Sequence, residues 1–275
     1  MNWPKISIIT PSFNQAHFLE RTMRSVLDQG YPNLEYIVID GGSTDGSVAL
    51  LEKYSDRLAY WVSEKDRGQS HALNKGFQRA TGDIIGWLNS DDLYCPQALQ
   101  RVGEAYLESP TDEVWYGGIY IVDQEDRVLN ALWPLPPDPQ YTVFVGLDIH
   151  QQGLFWRRDL MQRIGFLDES LDFAMDWDFI IRLLLAGRFR CIRHHLGMFR
   201  LHEAAKTANL SEVGARDKQL LLERYGSLFP TRLPREPHRL LLRARRFGRV
   251  AWDAPASYLW FKLARSLGLA AQPRW

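Results

Sequence analysis

The sequence predicts an α/β protein with a mostly parallel central sheet and helices on both faces. Apolar runs at residues 5–10 and 34–39 have the length of buried strands, and amphipathic stretches of helical period follow them. Turn pairs such as Thr81-Gly82 separate these runs. Strands and helices that alternate at this spacing are typical of parallel sheets with crossover helices.

Four strand and helix units fill the first 110 residues. The helix that follows the first strand has an apolar face containing Leu19 and Met23, and Pro11-Ser12 is interpreted as the end of that strand. The expected strands span residues 5–10, 34–39, 58–62 and 83–88, and the expected helices span 15–29, a stretch ending near 54, 69–80 and 96–108.

The pattern changes after residue 110. Strand-like runs at 114–122 and 127–133 are joined by a short turn, which predicts a smaller mixed sheet. The proline-rich residues 134–139 predict an extended connector. Further strands are expected at 152–157 and 190–194, and further helices at 158–164 and 176–187.

Charge divides the chain into an acidic body and a basic tail. Of the 33 Lys/Arg and 33 Asp/Glu residues, ten basic and two acidic ones lie in 231–275, so this segment carries +8 and residues 1–230 carry −8. An acidic body argues against a nucleic-acid partner. We therefore expect one α/β domain over 1–230, with halves at about 1–110 and 111–205, and a separate helical tail.

Cysteine usage and hydropathy indicate where the protein works. Cys95 and Cys191 lack the spacing of a metal or redox site, which predicts a reduced, cytoplasmic protein. The N-terminal apolar run is too short for a signal peptide, and no run approaches the ~18 residues of a membrane span. The chain is expected to be cytoplasmic, with peripheral contact to the inner membrane face left open.

Acidic side chains follow the expected strands where those strands end. Asp91 and Asp92 come directly after the strand at 83–88, and Asp40 and Asp66 follow two others. Ligands of open α/β sheets bind at the carboxyl ends of strands, and hard oxygen donors there suit Mg²⁺ or Mn²⁺ on a diphosphate. The alternative is that Asp91 or Asp92 caps the helix after Pro96.

Six short motifs occur in an order that resembles the family-2 glycosyltransferases of GT-A fold. The resemblance covers roughly residues 4–205 and rests on Thr10-Pro11-Ser12-Phe13-Asn14, Asp40-Gly41-Gly42-Ser43-Thr44-Asp45, Asn74-Lys75-Gly76, Ala80-Thr81-Gly82-Asp83, Asn89-Ser90-Asp91-Asp92 and Met175-Asp176-Trp177-Asp178. It implies a nucleotide-sugar donor, a divalent metal on its diphosphate, and inversion at the anomeric carbon. The first 110 residues would bind the nucleotide sugar, and residues 111–205 would bind the acceptor.

The donor site has a set of expected contacts. A carboxylate at Asp40 accepts hydrogen bonds from a base or ribose, and the glycines after it let the backbone approach closely. Family members often have a second acid where this chain has Gly41, so the identity of the nucleotide base is not determined. The full set of residues expected to bind the nucleotide is Thr10, Pro11, Ser12, Asn14, Asp40, Gly41, Ser43, Asp66, Arg67, Asn74, Lys75 and Ser90. The alternatives are a helix cap with a tight turn at Asp40 and Ser43, a plain strand-to-helix turn at 10–12, and an exposed charged loop at 64–67.

The resemblance also implies a metal site for Mn²⁺ or Mg²⁺. Asp91 matches the last acid of the family's Asp-x-Asp signature, whose first position is Asn89 here, a change that removes one charge but keeps an oxygen donor. Asp92 is expected as a ligand or a supporting partner. His202 and Arg200, late in the chain, are expected to complete the metal shell or contact the diphosphate, although a surface histidine is the alternative at 202.

An inverting displacement needs a base beside the acceptor hydroxyl. Asp176 matches the acid that the family uses as this base, and Met175 stands where the family usually has a glutamate. An N-cap role is the alternative for Asp176, and Asp178 is expected to be structural. The residues expected to bind the acceptor are His150, Gln151 and Trp177.

The tail contains a basic amphipathic helix. Arginines 239, 243, 246 and 249 run down one side, and Leu240 and Phe247 lie on another. Either the helix adsorbs to anionic lipid, or its apolar side packs on the body or on another subunit.

The sequence thus predicts an inverting, metal-dependent glycosyltransferase. It would move a sugar from a nucleoside diphosphate to a hydroxyl of a glycan or lipid-linked acceptor, in bacterial-type polysaccharide biosynthesis. A nucleotidyltransferase-like enzyme is one alternative, but residues 10–15 lack the glycine-rich loop with a basic residue that it needs. A non-catalytic sugar-binding module is the other, and it leaves the strand-end acids unexplained.

Overall fold

A nine-stranded mixed sheet forms the centre of the structure, a computed structural model that describes residues 2–202 and 211–266. The strands of these residues are β1 (Ile6–Ser12), β2 (Leu34–Asp40), β3 (Tyr60–Ser63), β4 (Ile84–Trp87), β5 (Leu93–Tyr94), β6 (Val114–Val122), β7 (Val128–Leu132), β8 (Leu154–Arg157) and β9 (Phe189–Arg200). The helices are α1 (Ala16–Leu27), α2 (Ser47–Lys53), α3 (Gln69–Arg79), α4 (Ala98–Glu108), α5 (Pro139–Phe144), α6 (Arg158–Ile164), α7 (Met175–Ala186), α8 (Ser211–Tyr225), α9 (Arg235–Asp253) and α10 (Ala256–Ser266).

The sheet has a parallel half and a mixed half. Its order is β3-β2-β1-β4-β8-β6-β9-β5, with β7 paired to β6. β1 to β4 are parallel, β8 runs antiparallel between β4 and β6, and β9 is again parallel to β6. The mixed strands therefore continue the first sheet, and the predicted α/β fold is confirmed.

Strand residues alternate between two apolar layers because successive side chains of a strand point to opposite faces. Ile8 and Val38 pack with α1 and α4 on one face, whereas Ile9 and Ile39 pack with α3 and α7 on the other. Gly76 of α3 lies so close to β1 that an added Cβ would be 2.4 Å from Ile9 Cγ2. The sheet is thus covered on both sides, as the alternation of elements predicts.

The first strand runs two residues beyond its predicted end. Pro11 and Ser12 continue β1 and pair with Ile39 and Asp40 of β2. β4 pairs with β1 only as far as Ile9, so the strand has one neighbour at Pro11 and no ladder hydrogen bond is lost there. The consequence is that Ser12 lies directly beside Asp40 at the edge of the sheet.

Three further elements differ from the prediction. β5 has only two residues and carries no periodic signal, yet it pairs with Gly197 and Met198 of β9. Asp138 ends the predicted extended connector and caps α5, accepting a hydrogen bond from Tyr141 N at 3.2 Å with Pro139 in the first turn. β9 extends to Arg200, six residues beyond the predicted strand, because β6 and β5 pair along it.

Among the described residues, no helix has the length and apolarity to cross a bilayer.

Glu35 is expected to make stability depend on acid pH. Burial opposes its ionisation, but hydrogen bonds from Lys5, Ser7 and Thr81 outweigh burial and lower its pKa from 4.5 to about 2. A carboxylate with a lowered pKa in the folded state stabilises the fold above pH 4.5, and this stabilisation is lost as the pH falls toward 2. Glu35→Gln should therefore cost about 2 kcal/mol of unfolding free energy at pH 7 and flatten the acid dependence, as measured by urea unfolding. The exposed Glu52→Gln is the control, and equal losses for both variants would contradict this role.

Candidate active site

A cavity of about 1140 Å³ opens at the carboxyl ends of β1, β2 and β4. Its lining also includes Leu147, residues 150–152 and the first turn of α7. Ligand pockets usually span roughly 300–1,000 Å³, so this cavity has room for two substrates. The predicted site residues that line it are Pro11, Ser12, Gly41, Asp66, Ser90, Asp91, His150, Gln151, Asp176 and Trp177.

Asp91 lines this cavity and is bonded to His202, which lies behind it and does not line the cavity. Asp91 lies in the turn after β4 and His202 just after β9, and His202 Nε2 is 3.0 Å from Asp91 Oδ2. The ring of Phe18 packs against His202, with 4.6 Å between ring centroids. The Asp91 side chain is partly exposed and the imidazole is buried, so a carboxylate and a positioned imidazole meet at one point.

Asp92 is buried and does not line the cavity, so of the two roles expected for it, a ligand or a supporting partner, its contacts fit the supporting partner. Its carboxylate is buried and accepts hydrogen bonds from Gln152 Nε2 at 2.9 Å, Arg200 N at 3.0 Å and, more weakly, Gln151 Nε2 at 3.4 Å. Burial, followed by the charge of Asp91, raises the pKa of Asp92 well above its usual range. The residue therefore joins three segments rather than offering an open carboxylate.

The side chains of Asn89 and Arg200 also form hydrogen bonds within the protein. Asn89 Oδ1 accepts hydrogen bonds from Gln69 Nε2 and Trp87 Nε1, each at 2.8 Å, so its oxygen donor is not open to a metal. Arg200 is fully buried and donates to Asp126 Oδ1 and to the carbonyl of Asp91. Both side chains hold the turn after β4 in place and do not extend toward a diphosphate.

Asp40 braces the loop after β2 instead of lining the cavity. It is fully buried, and its carboxylate accepts hydrogen bonds from Gly42 N, Ser43 N, Ser43 Oγ and Ser63 Oγ at 2.5–3.1 Å. The tight-turn alternative thus describes the bonds of Asp40 and Ser43, and the Asp40 side chain does not line the cavity. The backbone of Gly41 and Gly42, which this loop holds in place, lines the cavity.

Thr10 and Asn14 also form hydrogen bonds behind the donor side of the cavity. Thr10 is buried, and its hydroxyl lies 3.0 Å from the hydroxyl of Tyr36. Asn14, at a positive φ of 52°, donates from its backbone to Ser43 Oγ and accepts from Thr44 N. These contacts join the loops after β1 and β2, so neither side chain lines the cavity.

Three more residues expected at the nucleotide lie outside the cavity because each is bonded elsewhere. Asn74 is buried and ties α3 to Leu167 through two hydrogen bonds of 3.0 Å. Arg67 pairs with Glu169 at 2.7 Å, and Lys75 pairs with Glu64. The sequence placed them near the site because they follow its motifs, but their partners lie far along the chain or on the outer surface.

The structure adds lining residues that the sequence analysis missed. Phe13 is 59% exposed at the cavity and follows Ser12, and Lys65 and Gln69 lie beside Asp66. The signal available for Phe13 was its position inside the Thr10–Asn14 motif. Phe199 and the β6 residues Ile119 and Ile121 also line the cavity and were not predicted to do so.

Asp176 lies in the first turn of α7, where the partial positive charge of the helix N-terminus favours an ionised carboxylate. The next residue, Trp177, donates from Nε1 to Thr142 O of α5 at 2.6 Å. Asp178 is buried and bonded to Arg182, Arg224 and Tyr225, so it is structural as predicted. The first turn of α7 thus presents one acid to the cavity and buries the other.

Comparison with known proteins identifies the class. The family described as Glycosyl transferase family 2 matches residues 7–160. An uncharacterized glycosyltransferase of Mycobacterium tuberculosis, MT1564, is 36% identical over 195 residues, which is 69% of this chain and 73% of that protein. The putative teichuronic acid biosynthesis glycosyltransferase TuaG of Bacillus subtilis is 38% identical over 111 residues, 39% of this chain and 44% of TuaG.

Solved structures agree on the fold. The crystal structure of residues 1–349 of S. aureus TarS with UDP-GlcNAc has a TM-score of 0.67 at 17% identity, covering 90% of this chain and 73% of that one. The mannosyltransferase PcManGT of Pyrobaculum calidifontis, solved with GDP-Man and Mn²⁺, has a TM-score of 0.54 at 20% identity, covering 99% and 78%. This chain belongs to glycosyltransferase family 2 and is an enzyme of GT-A fold.

Gly41 provides a test of the donor side. A Cβ at position 41 would lie 2.7 Å from Asp66 Oδ2 and 3.3 Å from Phe13 Cδ2, so Gly41→Ala must displace both side chains. We expect about ten-fold weaker binding of nucleoside diphosphates by calorimetry, with an unchanged melting temperature. Gly146→Ala is the control because a Cβ there has no atom within 4 Å. Unchanged nucleotide affinity in Gly41→Ala would contradict the placement of the base or ribose beside Gly41.

Proposed function

We propose that this protein is an inverting glycosyltransferase that moves a sugar from a nucleoside diphosphate to a hydroxyl of a glycan or lipid-linked acceptor. One observation carries the proposal. A single cavity is lined by the loops after β1, β2 and β4 and, from the other half of the chain, by Asp176 and Trp177. A donor and an acceptor bound to these two walls meet inside it. The likeness to TuaG supports a role in bacterial-type polysaccharide biosynthesis.

The donor side suits a nucleotide. The exposed ring of Phe13 gives a base a stacking surface, and the Gly41-Gly42 backbone permits close approach. Asp66 lines the same wall, with Oδ1 accepting from Gly68 N at 2.8 Å. Relatives of this fold were solved with UDP-GlcNAc and with GDP-Man, which supports a nucleoside diphosphate sugar as the donor class.

Asp91 and His202 fit a site for Mn²⁺ or Mg²⁺. The described residues contain no group of three or more His, Cys, Asp or Glu side chains placed to hold a metal, so these two would supply the protein ligands. Such cations commonly complete their shell with phosphate oxygens and water. A cation bound here would neutralise the negative charge that develops on the departing diphosphate. The chain itself fixes the Asp91 backbone through Arg200 and the imidazole through Phe18.

Asp176 is proposed as the general base. The acceptor hydroxyl oxygen attacks the anomeric carbon from the face opposite the diphosphate, its proton passes to the Asp176 carboxylate, and the carbon–oxygen bond to the diphosphate breaks. One displacement of this kind inverts the anomeric configuration. Met175, whose sulfur accepts a hydrogen bond from Ser70 Oγ at 2.7 Å, adds no second charge beside the base.

The acceptor wall is proposed to consist of Trp177, His150 and Gln151. The Trp177 indole is fixed by its bond to Thr142, so its ring offers a rigid surface for a sugar. Burial, followed by the charge of Arg246, lowers the pKa of His150 to about 4, so its imidazole is neutral near pH 7. A neutral imidazole both donates and accepts hydrogen bonds, which matches sugar hydroxyls.

Substitution of the base should separate chemistry from binding. We expect Asp176→Asn to lower kcat by at least about a thousand-fold while the affinity for the nucleoside diphosphate stays within about two-fold. Asp172→Asn, an exposed acid four residues earlier, is the matched control and should keep activity. The assay measures the nucleoside diphosphate that hydrolysis and transfer release. Equal loss of donor affinity and turnover in Asp176→Asn would argue against a role as base.

The proposed metal ligands Asp91 and His202 are tested by measuring nucleotide binding. Asp91→Asn and His202→Gln should each weaken the Mn²⁺-dependent affinity for UDP or GDP by about ten-fold or more, measured by calorimetry with and without Mn²⁺. Asp92→Asn should instead lower thermal stability, because an amide cannot accept all the hydrogen bonds that its carboxylate accepts. Nucleotide affinity that is the same with Mn²⁺ and with EDTA in the unmodified protein would refute metal dependence.

A further inference from the structure

Helix α9 packs on the body through its arginines, the reverse of the orientation expected for an amphipathic helix. Arg246 lies 3.3 Å from Asp148, Arg249 lies 3.7 Å from Asp138, and Arg245 also pairs with Asp138. On the same side Leu242 and His238 are buried, and His238 packs edge-on against Phe144 of α5. Of the two arrangements left open by the sequence, packing of the apolar side on the body is not what the structure shows, because Leu240 and Phe247 are exposed.

The opposite side of α9 is broad, apolar and open. Leu240, Leu241, Phe247 and Trp252 are 62%, 56%, 77% and 90% exposed. Helix α10 is held to the body by Tyr258, which donates to Ala131 O at 3.1 Å, while Trp260 and Leu263 remain exposed. We call the six exposed residues the outer face; they are Leu240, Leu241, Phe247, Trp252, Trp260 and Leu263. Exposed apolar groups of this size mark an interaction surface.

Most exposed charges around the outer face are positive. Arg232, Arg235 and Arg243 are exposed and have no ion-pair partner in 2–202 or 211–266. The acid in the first turn, Glu236, is bonded to Arg239 at 2.8 Å. A second copy docked face to face would bring these arginines together without counter-charges, whereas an anionic bilayer supplies both an apolar interior and negative headgroups.

From these contacts we propose that the outer face is a membrane-docking surface for anionic bilayers. Trp252 and Trp260 would sit at the level of the headgroups, where indole rings are favoured, and Leu240 and Phe247 would enter the acyl boundary. The ion pairs to Asp138 and Asp148 fix the helix so that this face cannot turn inward. The proposal does not depend on the transfer chemistry.

Vesicle sedimentation with the full chain tests the proposal. We expect binding to vesicles of phosphatidylcholine with phosphatidylglycerol, and much weaker binding to phosphatidylcholine alone. The triple variant Leu240→Gln, Phe247→Gln and Trp252→Gln should bind at least about ten-fold more weakly, and Arg243→Gln about five-fold more weakly. Leu107→Gln, an exposed leucine of α4, is the matched control and should bind as the unmodified chain does.

The variants change exposed side chains, so a melting temperature equal to that of the unmodified chain verifies that they fold. Failure of the unmodified chain to sediment with anionic vesicles would overturn the proposal. Equal affinity for neutral and anionic vesicles would overturn its electrostatic basis. A dimer in sedimentation velocity that the triple variant dissociates, without vesicle binding by either protein, would instead assign the face to a second copy.

Discussion

The site depends on the burial of one carboxylate, Asp92. Asn89 Nδ2 in the turn after β4, the side chains of Gln151 and Gln152, and Arg200 N at the end of β9 all donate hydrogen bonds to it. A buried carboxylate is costly unless such donors surround it, and this requirement couples the two halves of the chain. Arg200 strengthens the same junction by donating to the carbonyl of Asp91. Asp91, the acid that reaches the cavity, is therefore positioned by a neighbour that does not.

On the donor side and at α7, too, a buried acid positions a neighbour that lines the cavity. Asp40 accepts four hydrogen bonds that fix the loop, and Gly41 and Gly42 of this loop line the cavity. Asp178 anchors α7 to α8 through Arg224, while Asp176 in the same turn faces the cavity. In the pairs Asp91–Asp92 and Asp176–Asp178, one acid is buried and bonded within the protein and holds in place its neighbour, for which we propose a role in metal binding or catalysis.

Motifs in the sequence located these groups, and helical spacing separated Asp176 from the structural Asp178. The Asn89-Ser90-Asp91-Asp92 run shows that acids follow a strand, whereas only the register of β9 and the position of Gln152 show that Asp92 is the buried one.

Asn74 and Lys75 lie within a motif and Arg67 follows a strand, yet none of the three lines the cavity. Asn74 and Arg67 are bonded to Leu167 and Glu169, about a hundred residues away, and Lys75 is paired with Glu64. Phe13 was overlooked because an aromatic residue after a strand predicts core more often than an exposed ring.

Local periodicity and the turn residues at strand ends by themselves determined the α/β class and most helix positions, and the six motifs carried the resemblance to the family, because all these signals depend on neighbours in the chain. Pairing over long separations decided the rest. β5 is a two-residue strand only because β9 passes beside it, and β1 continues through Pro11 only because β4 leaves it at Ile9. The charges of α9 were visible in the sequence, but Asp138 and Asp148 decided that Arg245, Arg246 and Arg249 pack on the body and the apolar side faces solvent. Ion pairs of this kind require partners that only the fold brings together.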